Sequence, residues 1–224
     1  MYKSDNIILT CKWIVLSLFL FAACTPSRIV KPLKKGENAV SESFGGPLIK
    51  FAGAPIPIPF STVSYANGLT DKVTAFGGLH TTALLFGNFQ TDIGICADVY
   101  KKDKIGFSIT PAIQTAVSYK DISSFRLWPS LDMNLRYELN KGFVYTGMHN
   151  WFELNRTGVN NTVQERWLLP NYHIGFTKEN TKWNHQFELK YLLPGQAIYP
   201  GVVDYIGINK KGAMGIYYCL TRKF

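Results

Sequence analysis

The chain has 224 residues, 46% apolar, 14% aromatic and 17% charged, with 19 glycines and a formal net charge of +9. So many aromatics with so little charge exclude an intrinsically disordered chain, and the length suits one sizeable domain or two small ones. A polytopic helical membrane protein is excluded as well, because each of its spans needs about 20 consecutive apolar residues.

The one long apolar run lies at the amino end, from Trp13 to Ala23, preceded by Lys3 and Lys12. It is too short to cross a bilayer and has the make-up of a secretory signal. The run closes on Phe21-Ala22-Ala23-Cys24, which resembles the lipobox of bacterial lipoproteins, with phenylalanine where leucine is usual. The resemblance implies cleavage before Cys24, lipidation of Cys24, and delivery to the outer membrane of a Gram-negative bacterium, since Thr25 and not Asp follows the cysteine. Residues 1–23 are then the signal peptide, 24–36 a lipidated basic linker and 37–224 the folded domain. Arg28, Lys31, Lys34 and Lys35 in the linker are expected to meet anionic headgroups beside the lipid or simply to keep the linker soluble. Cys96 and Cys219 remain after processing, and both read as small packing residues.

Beyond the linker the apolar residues recur with a period of two. Phe89, Thr91, Ile93, Ile95, Ala97 and Val99 alternate with Gln90, Asp92, Gly94, Cys96 and Asp98, giving a strand with one apolar and one polar face. Two further runs, 105–114 and 127–138, repeat the pattern. Strands this long are unusual in soluble sheets and suit a bilayer, which needs about 9 to 11 tilted residues per strand. Short polar turns at 67–71, 101–104, 140–142 and 178–182 alternate with longer connections at 45–58, 118–124, 155–162 and 194–212. Outer-membrane barrels have this asymmetry.

The alternation predicts strands near 37–44, 59–67, 72–80, 89–100, 104–117, 125–139, 142–154, 163–177, 182–193 and 213–224. The expected fold is therefore all-β: an antiparallel up-and-down transmembrane β-barrel of about ten strands, with eight or twelve also open. In the last strand Ile216, Tyr218, Leu220 and the terminal Phe224 share a face with Met214. This resembles the carboxy-terminal signal that outer-membrane barrels present to their assembly machinery, although Arg222 interrupts it.

The polar faces are rich in Gly, Ser, Thr, Ala, Asn and Gln, where a water-facing sheet is usually dense in Lys and Glu. They read as a narrow, filled lumen, with Asp132, Arg136 and Glu138 supplying pairable charges. Phe125 with Tyr137, Phe143 with Trp151, and Trp183 with Tyr191 are placed on the outer face as two aromatic girdles.

Neither a phosphate-cradling loop nor a metal-binding cysteine motif is present, so no cofactor and no metal is expected. Nucleic acid is not an expected partner, because the basic residues fall mostly in the linker and turns. Barrel acyl hydrolases carry His and Ser two residues apart on one strand face; His80-Thr81-Thr82 comes nearest, and no catalytic residue is assigned. His149 and His173 are expected to face the lumen with Glu153 and Glu188. The expected function is a lipid-anchored integral outer-membrane barrel of structural, adhesive or narrow-transport type. A tethered soluble barrel holding a small apolar ligand, and a barrel enzyme acting on membrane lipids, stay open beside it. Outer-membrane lipids and the sorting and assembly machineries are the implied partners, and no external ligand is identified. Leu48, Phe51, Ile56, Ile58, Ile198 and Tyr199, in two unusually apolar loops that flank the seam of a closed barrel, are candidates for one contact patch or for an inward-folded plug of its mouth.

Overall fold

The computed structural model describes residues 28–156, 163, 166–197 and 204–224. Eleven strands form a single sheet, and β1 (Asn38–Phe51) pairs with β11 (Lys211–Lys223) to close it. The ring has ten strands: β1, β3 (Phe60–Thr70), β4 (Val73–Leu79), β5 (Asn88–Lys102), β6 (Ile105–Ser118), β7 (Asp121–Leu139), β8 (Gly142–Phe152), β9 (Leu168–Glu179), β10 (Trp183–Ala197) and β11. Each neighbouring pair is antiparallel, and the closing register runs from Ala39 opposite Lys223 to Pro47 opposite Gly215. Closure leaves no unpaired edge, which an open sheet of this length would have to protect.

The eleventh strand, β2 (Ala54–Pro57), stands outside the ring. Beyond Pro47, β1 leaves both barrel neighbours and continues as a two-stranded hairpin with β2, Leu48 opposite Pro57 and Phe51 opposite Ala54. The segment expected to be a plain loop at 45–58 is thus mostly strand. Gly45, at φ +133°, marks the departure, and a side chain there would run into the backbone of Ile216. The connection expected at 118–124 shrinks to two residues, and a short helix, α1 (Thr81–Leu85), bridges β4 and β5. The strand expected from 163 begins at Leu168.

The inside and the outside of the ring differ in chemistry. On β5, Phe89, Ile93, Ile95 and Val99 are exposed, with Ile93 at 67%, while Gln90, Asp92 and Cys96 between them are buried. On β6 and β7 the buried set is Ser108, Thr110, Gln114, Ser130, Asp132, Asn134 and Arg136, and Ile113, Leu135 and Tyr137 are exposed. A water-soluble calyx would have the opposite arrangement, because burying apolar area is what stabilises it; an apolar ligand pocket is not what this lumen builds. Ile216 and Phe224 are exposed, and Tyr218 and Leu220 half-exposed, on that outward face. Arg222, which breaks their pattern, lies over the Trp183 ring at 5.7 Å.

One pair of the expected girdle residues is misplaced. Phe143 and Trp151 are each 3% exposed and face inward, whereas Phe125, Tyr137 and Trp183 are exposed. Glycines on adjacent strands make room for other large inward groups: a side chain at Gly175 would overlap the Tyr145 ring, and one at Gly106 would overlap the Arg136 guanidinium. Glycines on the polar face are holes cut for large lumen groups.

Candidate functional site: an occupied lumen

The segment that precedes β1 does not hang below the barrel. At Gly36, whose φ is +79°, the chain reverses, and residues 35 back to 28 run up the inside of the ring. Gly36 N–H donates to the Gly68 carbonyl at 2.7 Å and Glu37 N–H to the Lys34 carbonyl at 3.0 Å, fixing the turn. Lys35 N–H donates to Asp71 Oδ1 at 3.0 Å. Higher up, Leu33 N–H donates to Thr74 Oγ1 at 2.7 Å, and Ser108 Oγ donates to the Val30 carbonyl at 2.6 Å. Gln186 Nε2 donates to the Arg28 carbonyl at 3.1 Å.

The side chains of the segment divide between opposite walls. Ile29 and Leu33 pack on Ala39, Ala66, Phe76 and Ala112, and Val30 packs on Phe143 and Tyr145. The small residues Ala39, Ala66 and Ala112 leave room for this added stretch of chain inside the narrow ring. Lys31 Nζ sits 2.8 Å from Glu179 Oε2 and 3.1 Å from Glu138 Oε2, above the Phe143 ring. Arg28 Nη2 lies 3.0 Å from Asp92 Oδ2, with the two side chains only 4% and 3% exposed. Arg28 and Lys31 therefore neutralise lumen carboxylates and do not meet headgroups as expected.

Beside Arg28 a cavity of about 20 Å³ is lined by Ser41, Ser43, Thr62, Ser64 and Thr221, room for roughly one water molecule. The rest of the lumen is polar contact. Arg136 grips Asp98 through both terminal nitrogens at 2.6 Å and reaches Glu138 Oε1 at 3.1 Å. Tyr145 OH donates to Glu188 Oε1 at 2.7 Å, and Lys190 pairs with the other oxygen of that carboxylate at 3.0 Å. His173 Nε2 lies 2.6 Å from Asn134 Oδ1, and both His149 and His173 come within 4 Å of Asp132.

The histidines thus face the lumen with Asp132 and Glu188, while Glu153 stands away from them beside the inward Trp151, accepting from Trp128 Nε1 at 2.7 Å. No group of three or more His, Cys, Asp or Glu side chains able to hold a metal ion occurs among the described residues. Cys96 and Cys219 are free and buried. Cys24, Ile198 and Tyr199 lie outside the described residues. Of the candidate patch, Phe51 is 64% and Ile56 37% exposed on the hairpin, Leu48 is half-buried and Ile58 is buried. Ile58 fails because its stretch turns back onto β1, its N–H bonded to the Pro47 carbonyl. The two seam loops do meet: Lys50 N–H donates to the Asp204 carbonyl and Ile206 N–H to the Leu48 carbonyl.

The occupied lumen was not legible in the sequence as a site. Its signal was the pairing of a short apolar-and-basic run, Arg28-Ile-Val-Lys-Pro-Leu, with Asp92 and Glu179, wall carboxylates whose cation is supplied by the segment.

No family model matches the chain, and no curated protein matches its sequence. In structure it is similar to an outer membrane channel from Pseudomonas putida F1, with 10% identity over 89% of this chain and 100% of that one, at a TM-score of 0.52. The NanC porin has 13% identity over 84% and 100% of the two chains at a TM-score of 0.46. The translocator domain of the autotransporter NalP from Neisseria meningitidis has 10% identity over 98% and 96% at 0.43. The likeness to the first establishes the fold, a closed barrel of the outer-membrane type.

Proposed function

We propose that the chain is an integral outer-membrane barrel of the narrow-transport type, further anchored by a lipid on Cys24, whose lumen is closed at rest by residues 28–35. Membrane integration is supported by the apolar outward face and by strands that are mostly 11 to 19 residues long, enough to cross the bilayer at a tilt. The observation that carries the transport reading is the manner in which the lumen is filled. A purely structural barrel of this width can be filled by side chains of its own wall. Here part of the filling is a separate segment, seated on small residues such as Ala39, Ala66 and Ala112 on one side and tied in by hydrogen bonds and ion pairs. Each such hydrogen bond contributes about 1 kcal/mol net, and the segment can leave without breaking a strand pairing.

The test is conductance in planar lipid bilayers. The mature chain should be closed, with rare openings, and the double variant Arg28→Glu/Lys31→Glu, which sets carboxylates against Asp92, Glu138 and Glu179, should conduct steadily. Both should keep heat-modifiable migration in a detergent gel. Equal, steady conductance of the unaltered chain would show that the segment closes nothing, and silence of both would end the transport reading.

A further inference from the structure

We propose that the pathway opened by withdrawal of residues 28–35 is selective for small cations. The inference rests on the narrow-transport reading and extends it to the class of solute. It follows from where the counter-ions of the lumen reside. Six carboxylates of the wall take part in the lumen contacts described above: Asp92, Asp98, Asp132, Glu138, Glu179 and Glu188. The wall itself supplies two permanent cations to those contacts, Arg136 and Lys190. The other two cations, Arg28 and Lys31, belong to the segment.

The positions matter as much as the count. Asp98 and Glu138 keep Arg136 between them and Glu188 keeps Lys190, so these three carboxylates retain two cations when the segment leaves, although Glu138 loses Lys31. Asp92 and Glu179 lose theirs, since Arg28 and Lys31 are their ion-pair partners. Glu179 lies at the end of the barrel where β1 begins and β11 ends, and Asp92 lies well up β5, so the uncompensated charges are spread along the path. A narrow lumen with low-dielectric walls focuses such charge, and rings of Asp and Glu are how cation channels select. The hydroxyls that line the cavity beside Arg28, those of Ser41, Ser43, Thr62, Ser64 and Thr221, offer oxygen atoms to a passing cation and place no cation in its way.

The two ends of each ion pair allow the segment to be released in two ways that differ in the charge left behind. Arg28→Glu/Lys31→Glu releases it by altering the segment and leaves the wall acidic. Asp92→Asn/Glu138→Gln/Glu179→Gln releases it by altering the wall and leaves no excess of carboxylates at those positions. Each is measured as the full mature chain in a planar bilayer under a potassium chloride gradient. The first variant should show a reversal potential on the cation-selective side with a several-fold preference for potassium, and the second should conduct with little or no preference. Equal selectivity in the two variants, or an anion preference in the first, overturns the cation assignment and leaves the transport reading standing. If both variants fold, as shown by heat-modifiable migration, and neither conducts, the transport reading falls and the assignment falls with it.

Discussion

Arg28 precedes the first strand in sequence and sits inside the ring in space, its guanidinium 3.0 Å from Asp92 of β5 with both side chains almost fully buried. A buried ion pair is weak evidence of net stabilisation, yet removing one partner is strongly destabilising because it strands the other charge. The pair is therefore better understood as a latch with a defined position than as a source of fold stability. Phe76, under the guanidinium at 5.7 Å, holds its flat face in place.

Arg28→Ala should destabilise the seated segment by about 3–5 kcal/mol, whereas Arg28→Ala combined with Asp92→Ala should cost much less, because neither charge is left alone. The native thiols report this directly. Cys96 and Cys219 are buried, and Cys219 lines the cavity beside Arg28. A small thiol reagent should modify them slowly in the unaltered chain, fast in the single variant and at an intermediate rate in the double. Indistinguishable rates in the single and double variants would mean that Asp92 is not the partner that seats Arg28.

The outer face makes a separate prediction about depth. Ile109 and Met133 are cross-strand neighbours on β6 and β7, both on the outward set, and Ser130, three residues before Met133, is buried on the inward set. An arginine in place of Ile109 or Met133 should cost about 2–4 kcal/mol if these residues lie near the bilayer midplane. Ser130→Arg should cost less, with Asp132 and Glu188 among the lumen carboxylates able to answer it. Denaturant unfolding in lipid vesicles reads the difference, and equal costs at the two faces would contradict the inside–outside assignment.

The ring itself was legible because period-two alternation depends on each strand alone: Ile93 and Asp92 must point oppositely wherever the strand ends up. Strand ends were legible where polar turns such as Lys101-Lys-Asp-Lys104 cut the pattern, and drifted where the connection was apolar, as at the β1–β2 hairpin. Phe143 and Trp151 were misread because alternation alone does not say which parity of β8 faces inward; that parity is set by register against β7 and β9, where Gly175 opposite Tyr145 decides it. The seated segment was illegible for a related reason. Its contacts join residues 28–35 to nine different strands, and no local pattern in an eight-residue stretch encodes partners that only closure of the barrel brings together.

The hairpin at the end opposite the start of β1 and the end of β11 gives the sidedness. Phe51 and Ile56 are exposed beyond the ring, and Lys141 lies in the tight turn between β7 and β8 at the other end. Short turns face the periplasm in outer-membrane barrels, so Ile56→Cys should react with a membrane-impermeant thiol reagent on intact cells and Lys141→Cys only after lysis. The reverse pattern would invert the barrel. Phe51→Ser and Ile56→Ser should leave the unfolding midpoint within the range of ordinary surface changes, about 0.5 kcal/mol, so any loss of cell-surface adhesion in these variants would report on contact and not on folding.

The proposed lipid on Cys24 and the seating of Arg28 compete for the same short stretch of chain. Four residues separate them, a span of at most about 14 Å. The Arg28 carbonyl accepts from Gln186, which stands three residues from the turn end of β10, and with strands tilted near 40° that is roughly 8 Å along the barrel axis. The descent to that rim therefore uses much of the span, and little is left to cross into the bilayer outside the wall. An acyl group at Cys24 should therefore draw the segment downward and weaken the Arg28–Asp92 latch. Purified acylated protein is then expected to modify Cys96 and Cys219 faster, and to open more often in planar bilayers, than an unacylated chain of residues 24–224 refolded into the same lipid. Equal rates in the two preparations would show that the lipid and the seated segment coexist.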